Sequence, residues 1–128
     1  YLPNPEARAR VAESDVGLIP HIPYESWNTT IPNKLFDYMA AGLPVICSDA
    51  RPVERVVHEV GCGLVYPGRD PRALADAIAA MARSGERRQM GERGRRAVLE
   101  RYNWEEDMER LIAALEDTVA RTAGSRRA

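Results

Sequence analysis

Lysine is nearly missing from this 128-residue chain: of 18 basic residues 17 are arginine, and Lys34 is the one lysine. Cysteine is scarce too. Cys47 and Cys62 lie 15 positions apart without a partner motif, which excludes a disulfide framework and a zinc site. No stretch approaches the roughly 20 apolar residues that a membrane helix needs, and no signal peptide opens the chain, so a cytoplasmic location is expected. An excess of one charge is also lacking. With 18 basic against 19 acidic side chains nothing is left over to neutralise a phosphate backbone, and no nucleic-acid partner is expected.

What is present fits one ordinary domain. At 45% hydrophobic and 29% charged residues, the chain is long enough to bury roughly two-thirds of the surface that its unfolded form exposes. It opens on Tyr1 rather than Met and reads as the middle of something, so it is expected to be a piece of a longer protein. All nine prolines fall within residues 1–71, which divides a loop-and-strand half from a purely helical one.

The first half alternates helix and strand. Residues 5–13 can form a short helix ahead of the apolar run Val16-Gly17-Leu18-Ile19, which Pro20 ends. After a polar loop from His21 to Thr30, Leu35, Phe36, Met39 and Ala40 recur at helical spacing, with Pro32 in the first turn and Gly42 at the C′ position. Pro44-Val45-Ile46-Cys47 then reads as a buried parallel strand. Val53, Val56, Val57 and Val60 mark a helix that Gly61 stops, and Leu64-Val65-Tyr66 makes a third strand. In the second half Asp70 and Pro71 open a helix carrying Leu74, Ile78 and Ala82, and a second helix spans about 86–101. The last helix opens on a capping box, Asn103 with Glu106, and carries an apolar face from Trp104 to Val119. Its face reads as core or as a docking surface. Residues 122–128 are expected to form a flexible tail beyond a domain spanning 1–121.

Strands that alternate with helices predict an α/β fold, a parallel sheet flanked by helices with a helical C-terminal segment. Ligands in such sheets lie beyond the carboxyl ends of the strands, which directs attention to the loop 20–32. There a helix starting near Pro32 turns its unpaired N–H groups and positive dipole end outward, and Thr29 and Thr30 add hydroxyls. Lys34 is out of place in that first turn, because its charge opposes the dipole by a few tenths of a kcal/mol. A bound anion reverses the sign: at about 4 Å and an effective dielectric near 20, one unit-charge pair is worth on the order of 4 kcal/mol before desolvation. Asp37, one turn on, could accept hydrogen bonds from a ribose diol. Spacing alone leaves a plainer alternative, an i,i+3 surface ion pair between Lys34 and Asp37 that is worth little.

The run Pro32-Asn33-Lys34-Leu35-Phe36-Asp37-Tyr38-Met39-Ala40-Ala41-Gly42-Leu43-Pro44-Val45-Ile46 resembles the donor-binding signature of the group 1 glycosyltransferases of GT-B fold, a Glu followed by Ala-Met-Ala-x-Gly-x-Pro-Val. Other segments match in the same order. Ser14 to Pro20 resembles the strand before the donor loop, Cys62 to Pro71 with Leu74, Ala75 and Ile78 resembles a Gly-Leu…Asp-Pro…Leu-Ala…Ile segment, and Tyr102-Asn103-Trp104 resembles the start of the family's terminal helix. The resemblance implies two Rossmann-like domains around a cleft, this chain belonging to the C-terminal one. It implies metal-independent transfer, with no cofactor, of a sugar from a nucleotide-diphosphate donor, with retention of configuration.

By motif matching Asp37 takes the position of the Glu that binds the ribose hydroxyls. The backbone around Ile31, Pro32 and Asn33, with Lys34 nearby, covers the diphosphate-contacting positions. Where the family often has a first Glu, eight residues earlier, this chain has Thr29. Glu25 is the nearest acid and the one catalytic candidate. The N-terminal acceptor-binding domain and the first strands of the C-terminal domain are absent, so this chain alone is expected to transfer no sugar. A non-catalytic α/β domain that binds a nucleotide or phosphate for regulation is the alternative; a related phosphorylase would need a pyridoxal-phosphate lysine.

Elsewhere, His21 reads as a solvated loop residue unless it donates to a sugar or phosphate, and His58 as surface. Neither has partners at metal-ligand spacing, and neither cysteine has the partner that a nucleophile needs. Arg87, Arg88, Arg93, Arg95, Arg96 and Arg101 make the helix 86–101 basic. Laced with Glu86, Glu92 and Glu100, it reads as a solvated face, the alternative being peripheral contact with the anionic inner membrane surface where the acceptor is a glycolipid rather than a polysaccharide. The apolar face of the last helix is expected to drive self-association of the chain.

Overall fold

The computed structural model describes residues 4–125. In chain order its elements are α1 (Asn4–Ala12), β1 (Gly17–Ile19), a single 3-10 turn (Glu25–Asn28), α2 (Asn33–Ala40), β2 (Val45–Ser48), α3 (Arg51–Val60), β3 (Gly63–Tyr66), α4 (Pro71–Arg83), α5 (Arg87–Glu100) and α6 (Trp104–Ser125). The three strands form one parallel sheet in the order β1-β2-β3, with Gly17 opposite Val45 and Val45 opposite Gly63. All three carboxyl ends therefore lie along one edge. The expected α/β architecture of a Rossmann-like unit with a helical C-terminal segment is the one observed.

The middle strand explains why the sheet needs helices on both faces. Every residue of β2 is buried, so neither of its faces can be left to water. On one face Val45 and Cys47, with Ile19 of β1, pack against Leu35 and Met39 of α2 and Val53, Val56 and Val57 of α3. Ile46 and Tyr66 point to the opposite face, where Met81, Leu74 and Ala77 of α4 cover them. The apolar spacings of these helices thus became core contacts.

Local signals set the boundaries. Gly42 and Gly61 take positive φ, 75° and 65°, in the turns that end α2 and α3, a conformation that a Cβ disfavours. Asp70 caps α4 as its position promised: one carboxylate oxygen accepts from the amides of Arg72 at 2.9 Å and Ala73 at 3.0 Å. Asp70→Ala is expected to lower the unfolding free energy by about 1 kcal/mol, measured as a reduced urea midpoint at constant slope.

The last helix departs from expectation in two details. In the capping box of α6 the Glu106 amide donates to Asn103 Oδ1 at 2.9 Å, but the Glu106 carboxylate turns forward to Arg110 at 3.8 Å, so half of the box forms. The helix also continues to Ser125, past residue 121, and residues 126–128 lie outside the described part. Nothing between 119 and 123 breaks a helix, since the sequence there is Val-Ala-Arg-Thr-Ala. From Asp107 to Thr122 every residue is exposed, and the stripe of Trp104, Met108, Leu111, Ile112, Leu115 and Val119 is uncovered, not part of the core.

On α5 and at its C-cap three arginines are engaged. Arg88 pairs with Glu92 at 2.8 Å, Arg93 Nε donates to the Gly61 carbonyl at 2.7 Å, and Arg101 lies 3.5 Å from Glu59. No described helix is long and apolar enough to cross a membrane.

Candidate functional site

The loop between β1 and α2 is fastened across the carboxyl edge of the sheet by contacts distant in sequence. The Ser48 hydroxyl, at the end of β2, donates to the carbonyl of His21. Asn28 Oδ1 accepts from the Arg51 amide at 3.2 Å, and the guanidinium of Arg69 lies 5.1 Å from the Tyr24 ring centre. A Cβ on Gly68 would meet Pro23, whose close approach explains the glycine there. Asp49 Oδ1 accepts from the Gly68 amide at 2.8 Å and fixes the facing turn.

Within this loop the two threonine hydroxyls have a local partner. Thr29 and Thr30 turn their hydroxyls back to the Ser26 carbonyl, at 2.9 and 3.2 Å, closing the 3-10 turn rather than capping α2. A hydroxyl three or four residues from an accessible carbonyl has that local partner at hand, and the turn supplies it. The N-cap of α2 is Pro32, whose ring offers no capping atom. The amides of Asn33 and Lys34 therefore open the helix without a side-chain partner and without an intrahelical carbonyl.

Ile31 is half-buried and packs onto the core, which anchors the chain just before these amides. Asn33 and Lys34 are exposed. Lys34 and Asp37 form no ion pair, so the plainer account of their spacing is not the one realised. Asp37 instead lines a groove of about 430 Å³ between α1 and α2, where Arg8 and Val11 form the facing wall. Glu25 is exposed in the first turn of the 3-10 helix, on the same loop as the threonines.

His21 is the residue that sequence reasoning misplaced. It is not a freely solvated side chain: it is half-buried, its ring stacks on Trp27 with centres 3.8 Å apart and planes 22° apart, and Nδ1 is buried without a partner. Burial first, and the charge of Lys34 second, hold its pKa below the usual 6.5. His58 is exposed on α3, 3.7 Å from Glu54, as a surface residue. Cys47 and Cys62 are core residues, their thiols pushed up to about 12 and about 11 chiefly by burial, which makes poor nucleophiles. Among the described residues no three His, Cys, Asp or Glu side chains come together at a metal-binding spacing.

The chain matches the family model described as "Glycosyl transferases group 1" over residues 1–84. It is 33% identical over 118 residues to the phosphatidyl-myo-inositol mannosyltransferase of Mycobacterium leprae, covering 92% of this chain and 30% of that protein. To the MMP alpha-(1->4)-mannosyltransferase of Mycolicibacterium hassiacum it is 28% identical over 124 residues, 95% of this chain and 29% of that one. Among solved structures, sucrose-phosphate synthase from Thermosynechococcus elongatus superimposes with a TM-score of 0.69 at 29% identity, over 85% of this chain and 27% of that one. The chain thus spans under a third of the length of each of these proteins. The match takes in α1, the fastened loop and the signature helix α2, and this chain belongs to the group 1 glycosyltransferases.

Proposed function

We propose that this chain holds the nucleotide-diphosphate end of a sugar donor, as the C-terminal, donor-binding part of a glycosyltransferase that retains anomeric configuration. The observation that carries the reading is the opening of α2: two uncapped amides, a Lys34 with no ion pair among the described residues, and Asp37 one turn on, lining a groove. Amides and a cation suit the two phosphates, and a carboxylate suits a ribose diol. Dipole, amides and Lys34 neutralise the phosphate charge here, so donor binding needs no metal and no cofactor. Glu25 is the carboxylate available to the sugar or to the reacting centre, and Thr29 and Thr30 contribute through their backbone and the loop they close.

The names of two relatives point to mannosyl donors, and the first of them to a lipid-linked acceptor. A glycolipid or polysaccharide acceptor is the corresponding class here, held by an N-terminal domain outside this chain. The enzyme works in the cytoplasm, with peripheral contact at the inner membrane face through the free arginines of α5. The uncovered stripe of α6 is the surface that meets the acceptor domain, and in the isolated chain it drives self-association. Alone, the 128-residue chain transfers no sugar.

A calorimetric panel of UDP, GDP and ADP sugars against the complete protein tests the reading, and failure of every one to bind would overturn it. Lys34→Arg sharpens the test. A compact ammonium approaches a phosphate as a point charge, whereas a guanidinium fork needs more room. The substitution is expected to raise donor KM about three- to tenfold with folding intact. An unchanged KM would remove Lys34 from the site.

A further inference from the structure

We propose that His21 belongs to the anion site at the opening of α2, its Nε2–H donating to an oxyanion of the phosphate class held beside Lys34. The inference rests on the diphosphate reading of that opening and adds to it a residue from a different element. His21 lies two residues past the end of β1, and Lys34 is the second residue of α2, so both stand at the carboxyl edge of the sheet.

The ring is held from two sides. Trp27 stacks on it at 3.8 Å, and the Ser48 hydroxyl ties its main-chain carbonyl to the end of β2. Nδ1 is occluded and has no partner, whereas the ring as a whole is only half-buried and Nε2 is neither occluded nor hydrogen-bonded among the described residues. A buried N–H without an acceptor is unfavourable, so the neutral ring carries its proton on Nε2. The donor edge of the imidazole is therefore the accessible one, pre-set for an oxygen.

Charge decides the response. Around the ring, α2 brings Lys34, the 3-10 turn brings the uncharged Trp27 with Glu25 in its first turn, and β2 ends in Ser48 followed by Asp49. Of these charges the one that acts on His21 is Lys34, which together with burial keeps the ring neutral near pH 7. An oxyanion between the two cancels that field and adds its own, so the proton affinity of His21 rises on binding. The added proton must go to the occluded Nδ1, which limits the rise. By linkage, affinity for the anion then grows as pH falls from above the bound-state pKa to below the free-state one.

Two histidines in the chain make this measurable. The C2 proton signals of His21 and His58, assigned with the His58→Gln variant, are titrated by NMR in sodium sulfate and in sodium chloride at matched ionic strength. Sulfate serves because it is a divalent oxyanion that does not itself titrate across this range. The expected result is a midpoint for His21 below 6.5 in chloride and higher in sulfate, with the His58 signal as the internal reference. In Lys34→Gln the chloride midpoint should rise and the sulfate effect shrink. If sulfate shifts the amide signals of Asn33 and Lys34 while the His21 midpoint stays put, or if both histidines move together, the assignment of His21 is overturned and the reading of α2 stands. If sulfate moves neither the amides nor His21, the anion cradle fails with it.

Discussion

Asp37→Ala in the complete transferase is expected to lower kcat/KM for the sugar donor roughly 10- to 100-fold, mostly through KM. A hydrogen bond to a charged acceptor is worth about 1.5–3 kcal/mol, and each 1.4 kcal/mol is a factor of ten. Among the described residues the exposed side chain has no ion pair and no hydrogen bond, so its removal should leave the melting temperature unchanged. That separates a binding role from a structural one. Asp37→Glu restores the residue that the family signature carries at this position and should stay within a few-fold of the parent. An alanine variant with parental KM and kcat would sink the assignment of Asp37 to the donor.

Stability answers to a different residue. Gly91 of α5 sits against the Gly42 carbonyl at the end of α2, where an added Cβ would overlap backbone rather than a movable side chain. Three residues on, Gly94 has room for no more than a tight contact, with Cys62 and Met39 each 3.3 Å from its would-be Cβ. Gly91→Ala must push α5 off α2 along this seam. Overpacking of that kind costs about 3 kcal/mol, and the better helix propensity of alanine returns at most about 1 kcal/mol. A net loss of about 2 kcal/mol, seen as a fall in melting temperature of several degrees, is expected. Gly85, with nothing near its missing Cβ, supplies the control: Gly85→Ala should change little. Equal melting temperatures for the two variants would mean that α5 is free to shift.

The contrast between these residues marks what the sequence could tell. Features that depend on neighbours within four positions were legible: the Asp70 cap, the glycine ends of α2 and α3, and the apolar spacing of Leu35 with Met39 that became core. The motif that names the family was legible for the same reason, being one continuous run. The fastening of the loop between β1 and α2 was not, because Ser48 and His21 are 27 positions apart and Asn28 and Arg51 are 23 apart, and no periodicity links them. The partner of the Thr29 and Thr30 hydroxyls was hidden for another reason. Their residue type fits a cap and a turn equally, and the 3-10 turn ahead of them, which decided the outcome, has no signature in the polar run that forms it.

The last helix behaves as a lever arm. At 1.5 Å per residue, the 22 residues of α6 reach about 33 Å beyond the joint that follows α5. Asn103 grips that joint from both sides: its Nδ2 donates to the carbonyls of Val98 and Leu99 at 3.2 and 3.0 Å, while its Oδ1 takes the Glu106 amide. A tilt of about 10° at this one side chain moves the far tip by about 6 Å, roughly the pitch of a helical turn. The bearing of a long apolar stripe thus turns on the hydrogen bonds of a single side-chain amide, a pivot one residue wide.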